Sequence, residues 1–323
     1  MRSFLAWCVA LPATVLLSGC GGGGGSMDSG VGALSVSLTD APVDAAAEVV
    51  VVFTGIELHR TDGQTVTVDL GGAPKTIDLM KLQKGVTGAL TQGASVPAGA
   101  YDWMRLKVLA DKNTQGESYI KLLDGTQYPL WIPSGAETGL KLVRPFSVAQ
   151  GSTTQLVIDF DLRKSVTAPP GQDPNYIMRP TLRLLDQLQV GKIAATLNLA
   201  ALTSAQLGAA APVTSCKAGL YLFAGGAAVP DDQDGDNTDG ADPILYLPVN
   251  YDGVTPTVSI TIPFVEVGTY TLAATCNLNV DVADANDYNP AAMPGAPGFQ
   301  TMHWTTAGNV SVTANGTTAI SLP

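Results

Sequence analysis

The most concentrated set of reactive side chains lies in an acidic segment at residues 230–243, which reads PDDQDGDNTDGADP. Its carboxylates repel one another, so the segment requires either a bound cation or full solvation. Asp232, Asp234 and Asp236 occupy every second position. Calcium loops begin with the same spacing, which turns every second side chain inward. The sequence predicts a calcium site, with a solvated acidic loop as the alternative, formed by Asp232, Asp234, Asp236, Asp239 and Asp242.

This segment is not an EF-hand. An EF-hand loop requires glycine at its sixth position and glutamate at its twelfth, and these positions hold Asn237 and Pro243. Calcium would therefore have to bind through another geometry.

A second candidate for chemistry is the stretch 155–163, which alternates as a β-strand. Alternation predicts Asp159, Asp161 and Arg163 on one face, where paired carboxylates and a cation could hydrolyse a glycoside. However, side chains two residues apart are closer than such hydrolysis requires, and a solvated strand face with ion pairs is the alternative. The chain has only two histidines and no Gly-x-Ser-x-Gly motif, so we predict no enzyme and no catalytic residue.

Four cysteines bear on the compartment. Cys8 lies in the apolar leader, and Cys20 ends the stretch LLSGC. Cys216 and Cys276 are then left as an even pair in an oxidising compartment, and we predict a disulfide between them. Two buried thiols are the alternative.

The first residues read as a targeting segment. Arg2 precedes an apolar stretch that is too short to span a membrane, and LLSGC resembles the lipobox of bacterial lipoproteins. An ordinary secretory signal that happens to contain a cysteine is the alternative. The resemblance implies a signal peptide over residues 1–19 and a lipid-modified Cys20 that anchors the chain in the bilayer.

The glycine run after Cys20 predicts a flexible tether over residues 20–32, with a reach of roughly 20 Å. Gly21 stands where inner-membrane lipoproteins of Gram-negative bacteria typically carry Asp. By that resemblance the chain is expected in the cell envelope, on the outer membrane if the source is Gram-negative.

Beyond the tether, low charge and many Thr, Val, Gly and Pro residues predict an all-β fold. The run Val49–Phe53 is typical of a strand buried on both faces. Turns at Thr61-Asp62-Gly63 and Asp124-Gly125 predict hairpins. Residues 202–211 are expected to form one helical turn or a loop.

Six ordered stretches carry a resemblance: SVSLTDAPVD, FTGIELHR, VPAGAYDWMRLKV, PSGAETGLKLVRPF, LVIDFDLRKSV and YIMRPTLRLL. They resemble the bacterial domain of unknown function 4382 over about residues 33–186. The later stretches GTYTLAATC and VSVTANGTTAISL are similar to transthyretin-like or carboxypeptidase-regulatory-like sandwiches. These resemblances imply two tandem β-sandwich domains, at residues 33–187 and 188–323.

The net charge of −11 argues against nucleic acid as a partner. We predict a membrane-anchored lipoprotein that acts as a non-catalytic binding module for a glycan, a peptide or an envelope protein. A structural role in envelope assembly and a carboxylate-based hydrolase are the alternatives. The only cofactor predicted is calcium.

Overall fold

A computed structural model of the chain describes residues 30–41, 46–114, 116–133, 139–168, 175–179, 181–234, 240–281 and 302–323. The fold is all-β, as predicted. The signal peptide, Cys20, most of the tether, Asp236 and Asp239 lie outside the described residues. No helix within the described ranges is long and apolar enough to cross a membrane.

The strands of the N-terminal part (residues 30–186) are β1 (Val31–Ala41), β2 (Ala46–Arg60), β3 (Thr65–Val68), β4 (Lys75–Asp78), β5 (Gly88–Pro97), β6 (Gly99–Leu109), β7 (Tyr119–Leu122), β8 (Gln127–Trp131), β9 (Leu140–Leu142), β10 (Phe146–Val148), β11 (Thr153–Asp161), β12 (Val166–Thr167), β13 (Tyr176–Met178) and β14 (Thr181–Asp186). A short helix, α1 (Leu162–Ser165), follows β11, and a 3-10 turn covers Leu79–Leu82.

The strands of the C-terminal part (residues 190–323) are β15 (Val190–Asn198), β16 (Gly219–Ala224), β17 (Leu245–Pro248), β18 (Thr257–Glu266), β19 (Gly268–Thr275), β20 (Thr305–Val312) and β21 (Thr317–Leu322). Helix α2 (Leu199–Leu207) follows β15, and 3-10 turns cover Gln187–Gln189, Val213–Ser215 and Leu278–Val280.

Two sheets form a sandwich in the N-terminal part. One has the strand order β14-β11-β1-β5, and the other is built around β10-β6-β2-β7-β8-β13-β12. Alternate side chains of β1 and β11 point at β2 and β6, and Phe53 meets Phe160 edge-to-face with ring centroids 6.4 Å apart. This shared apolar layer holds the two sheets together.

The C-terminal part is a second sandwich, of sheets β18-β15-β21 and β17-β16-β19-β20. Its core includes Ile193 and Leu197 of β15, Leu220 of β16 and Leu272 of β19. β20 packs beside β21, so this side of the sandwich is closed. β17 and β18 are edge strands of their sheets on the opposite side.

Several predictions are confirmed. Val49–Phe53 is buried throughout, and both predicted turns join paired strands, β2 with β3 and β7 with β8. Every strand pair recorded in the described residues lies within one part, and none joins the two. The exact boundary at residues 187/188 stays a prediction.

Two predictions are wrong. The strand expected to run to Arg163 ends at Asp161, and Arg163 lies in α1, so it does not share the strand face with Asp159 and Asp161. Of residues 202–211, expected as one helical turn or a loop, 202–207 lie in the longer helix α2 and 208–211 lie outside it. The first turn of α2 is capped by Asn198, which accepts from the Ala201 amide at 3.1 Å.

Candidate functional site: a cleft between the two sandwiches

Three polar residues form a row across the outer face of the sheet β14-β11-β1. The strand register places Thr39 opposite Asp159, and Asp159 opposite Arg183. The neighbouring residues Ile158 and Phe160 point into the core. Strand alternation therefore turns the row away from the core of the N-terminal sandwich.

This outer face is covered by the C-terminal part rather than by solvent. Val157 and Leu185 lie on the same face as the polar row, and they form a buried cluster with Val190 and the ring of Phe264 from β18. Strand alternation directs the Val157 side chain away from the core of the N-terminal sandwich, yet Val157 is only 1% exposed. The polar row thus lies beside an apolar contact between the two parts.

Further contacts hold the two parts together around this cluster. Arg144 forms an ion pair with Glu266 and also donates a hydrogen bond of 2.8 Å to the carbonyl of Leu184. A side chain added at Gly85, which has φ +83°, would lie 3.0 Å from the Cβ of Pro263, so the backbones approach closely there. The relative position of the walls is therefore fixed at several points.

A cleft of about 380 Å³ lies between the two parts. The N-terminal wall contributes mostly charged and polar side chains, namely Thr39, Asp40, Lys84, Asp159 and Arg183. Among the described residues the C-terminal wall carries no charged side chain, and it is lined by Leu245, Leu247, Pro248, Val249, Asn250 and the stretch 258–264. Such a cavity, largely apolar with a few polar groups and located between two structural units, is typical of ligand sites.

Asp159 is a buried carboxyl of the cleft whose pKa is shifted by its surroundings. Its side chain is only 15% exposed, and burial raises the pKa of its carboxyl above the ordinary value of an aspartate. Arg183 opposes this pKa shift by donating from Nε at 3.1 Å and from a second nitrogen to the same carboxylate oxygen. The pair presents a dipole to the cleft rather than a net charge.

This arrangement is suited to binding more than to acid–base catalysis. Asp159 is held by Arg183, and Asp161 is not among the residues that line the cleft. Asp40 lines it, but the register pairs Asp40 with Phe160, so alternation directs it to the sheet face opposite Asp159. Asp159 and Asp161 share one face of β11, but only Asp159 lines the cleft, so the strand positions place a single carboxylate of that face in the cleft.

The described residues of the predicted calcium site lie in the segment between β16 and β17 and are not among the residues that line the cleft. Asp232 is fully buried, Asp234 and Asp242 are partly buried, and the neighbouring Asp231 is also fully buried. Within the described residues no three His, Cys, Asp or Glu side chains are arranged to hold a metal ion. The calcium site therefore stays a prediction.

The predicted disulfide is present, since Cys216 and Cys276 are bonded to each other. It ties the segment before β16 to the end of β19, close in sequence to the 3-10 turn Leu278–Val280 and to Asp281 after it. Asp281 accepts a hydrogen bond of 2.5 Å from the Tyr221 hydroxyl.

Sequence reasoning missed Arg183, Lys84 and the whole C-terminal wall of the cleft. Arg183 alternates with apolar residues in TLRLL, which marks it as outward-facing. Nothing local indicates that β18, far along the chain, covers it. The signal for such a site is spatial rather than sequential.

Comparison with known proteins gives one family. Residues 31–180 match the family described as "Domain of unknown function (DUF4382)". This part of the chain belongs to that family. The DUF4382 segment contains Asp40, Lys84 and Asp159 of the cleft, while Arg183 lies just beyond the matched range. The resemblance of the later residues to transthyretin-like sandwiches stays a prediction.

No curated protein matches the chain. Among solved structures it is similar to a leucine-rich repeat protein from Bacteroides thetaiotaomicron, at 13% identity and a TM-score of 0.19. That match covers 91% of this chain and 26% of the other, so this chain spans about a quarter of that protein's length. A TM-score at this level carries no argument about fold or function.

Proposed function

We propose that this chain is a non-catalytic binding protein of the bacterial cell envelope, and that its ligand occupies the cleft between the two sandwiches. The single observation that carries the binding role is the cleft itself. One wall of the cleft has no charged side chain among the described residues, and the other carries the Asp159–Arg183 pair. Phe264 and the Arg144–Glu266 ion pair fix the position of the two walls. Preformed walls reduce the ordering cost of binding.

The envelope location is proposed from residues 1–25. LLSGC and the glycines after it support lipid attachment at Cys20, and the Cys216–Cys276 disulfide is the usual feature of an oxidising compartment. Growth with labelled palmitate tests the anchor. Label should be incorporated and the protein should sediment with membranes, and a Cys20→Ala variant should lose both properties. Incorporation that does not depend on Cys20 would contradict the anchor.

The binding role is tested by filling the cleft. Thr261 of β18 is exposed, lines the cleft and lies opposite Ala194 of the central strand. Ala319 of β21 is exposed and flanks the same Ala194 from the other edge of the sheet. Thr261→Trp is therefore expected to abolish ligand binding, whereas Ala319→Trp should preserve it.

The probes are an array of purified glycans and a library of random peptides, both presented to the immobilised protein. A ligand whose binding is lost in Thr261→Trp and kept in Ala319→Trp supports the proposal. Ligands bound equally by both variants would place the site elsewhere and refute the cleft. Turnover of any glycan that is lost in Asp159→Asn would instead support the hydrolase.

A further inference from the structure

We propose that the ligand of the cleft is an extended, uncharged peptide that adds as a strand to the outer edge of β18. The inference rests on the proposed function and names the class of ligand. Its support comes from the course of the cleft along β18, from the neighbouring edge strand β17 and from the charges of the lining residues.

The cleft follows the backbone of β18 rather than one of its faces. Every residue from Val258 to Phe264 lines it. Successive side chains of a strand point to opposite faces, so a cavity beside one face would touch alternate residues only. A contiguous lining means that the cavity runs along the edge of the strand.

That edge has no partner strand in the part of the chain that the structure describes. Among the described strands β18 pairs with β15 alone, in antiparallel register from Asn198 opposite Thr257 to Val190 opposite Glu266. Half of the amide and carbonyl groups of an edge strand point away from its single neighbour. Here they point towards the cleft, where an incoming strand could bond to them.

The rest of the C-terminal wall, beside β18, supplies sites for side chains. It is formed by β17 and the residues after it, and β17 is itself the edge strand of its sheet. Leu247 of β17 and Val258 and Ile260 of β18 are partly buried against the core between the two sheets. A strand inserted between these edges would place alternate side chains against this apolar layer, as in other cases of strand addition.

The charges of the cleft favour an uncharged occupant. Asp159 and Arg183 neutralise each other, Asp40 and Lys84 carry opposite charges, and the C-terminal wall has none. Among the C-terminal lining residues only Asn250, Ser259 and Thr261 have side chains that could bond to the hydroxyls of a glycan, and the others are apolar. The one aromatic ring of this wall, that of Phe264, is packed against Val157, Leu185 and Val190.

The length of the paired segment is also limited by the sequence. Pro263 has no amide hydrogen, and Phe264 has φ +52°, which turns the chain out of the extended conformation. Pairing is thus confined to Val258–Ile262, and at about 3.4 Å per residue it corresponds to roughly five residues of peptide.

The test uses a phage-displayed library of random 12-residue peptides selected on the full-length protein. The selected peptides are then synthesised with single N-methyl groups at successive amides. A peptide paired with one strand bonds through every second amide, so N-methylation should weaken binding by about tenfold or more at alternate positions and little between them. Binding is measured by calorimetry.

Matched variants test the strand on the protein. Ser259 of β18 and Ser321 of β21 are both exposed and flank the same residue, Thr196 of β15, from opposite edges of the sheet. A lysine on an edge strand opposes strand addition. Ser259→Lys should lower peptide affinity by about tenfold or more, and Ser321→Lys should leave it within about twofold. Both variants should unfold at the wild-type temperature, because both sites are on the surface.

Three outcomes would overturn the inference: a library that yields no binding peptide, an N-methyl series without a two-residue period, and affinity that Ser259→Lys leaves unchanged. A glycan that binds in the cleft, and that Thr261→Trp excludes, would also overturn it while leaving the proposed binding function intact. The two proposals therefore fail in distinguishable ways.

Discussion

Replacing Arg183 by Met is expected to lower the free energy of unfolding measurably. The guanidinium donates two hydrogen bonds to Asp159, whose side chain is 15% exposed, and Arg183 is itself 28% exposed. Removing one partner of a buried ion pair costs about 3–5 kcal/mol because the other charge is left uncompensated. Partial exposure of both groups reduces the expected loss to about 2–3 kcal/mol at pH 8. Met retains the apolar contacts of the arginine stem.

The loss should depend on pH in a defined direction. Burial already raises the pKa of the Asp159 carboxyl, and removing the guanidinium raises that pKa further. In the unfolded chain the pKa of an aspartate is about 3.9. Because the pKa of Asp159 is higher in the folded state, the folded protein loses stability as the pH rises from the unfolded-state pKa through the folded-state pKa. The difference from wild type should therefore be smallest near pH 4 and reach its full size above the folded-state pKa of the variant.

Urea unfolding at constant ionic strength, followed by tryptophan fluorescence and circular dichroism at pH 4.5 and pH 8, measures this difference. Lys81→Met is the control, because Lys81 is 78% exposed, and Asp78, although 10% exposed, keeps the hydrogen bonds that it accepts from the Val49 and Met80 amides when the lysine is lost. Its effect should stay within about 0.5 kcal/mol at both pH values. An Arg183→Met loss of equal size at both pH values would refute the assignment of the effect to the buried Asp159 carboxylate.

Three further predictions concern other parts of the chain. Phe264→Ala should lower the free energy of unfolding by about 1–3 kcal/mol, because the ring that packs between the two parts is lost, and it should speed proteolysis near residue 188; an unchanged cleavage rate would contradict the role of the ring. Replacing Cys216 and Cys276 together by Ala should lower the free energy of unfolding by about 4 kcal/mol in the chain-entropy model, since the bond closes a loop with a sequence separation of 60. Urea unfolding with and without reductant measures the contribution of the disulfide. A wild-type protein that reductant does not destabilise would argue against that model. If the acidic segment 230–243 binds calcium, a hundredfold excess of calcium over its Kd should stabilise the protein by about 2.7 kcal/mol, and the absence of both calorimetric heat and a Tm shift at millimolar calcium would exclude the site.

The sequence predicted much of the local structure because local chemistry specifies it. The turns at Thr61-Asp62-Gly63 and Asp124-Gly125 need residues that tolerate a left-handed backbone, and Gly63 and Gly125 both have positive φ. Val49–Phe53 is apolar at every position, so only a strand covered on both faces can bury it. The all-β class follows from many such segments.

What the sequence could not predict is what covers an outward face. Periodicity marks Val157 and Asp159 as facing away from their own core, and the simplest expectation for such a face is solvent. The structure covers it with β18, which the sequence connects to it only through a long stretch of chain. The error at Arg163 is of another kind: the alternation continues past Asp161, but the backbone turns into α1 there.

The contacts between the two parts bear directly on how the cleft could bind. Phe264 is a bulky residue at φ +52°, a conformation that L-residues rarely adopt, and surrounding contacts must hold it there. It is held by the apolar cluster on β11 and β14, the same two strands that carry Asp159 and Arg183. The residue that ends the extended part of β18 thus also fixes the distance between β18 and the polar row. One contact therefore sets both the length of the accessible edge and the width of the cleft. Because the walls are already in place, binding of a ligand would require little energy to close them.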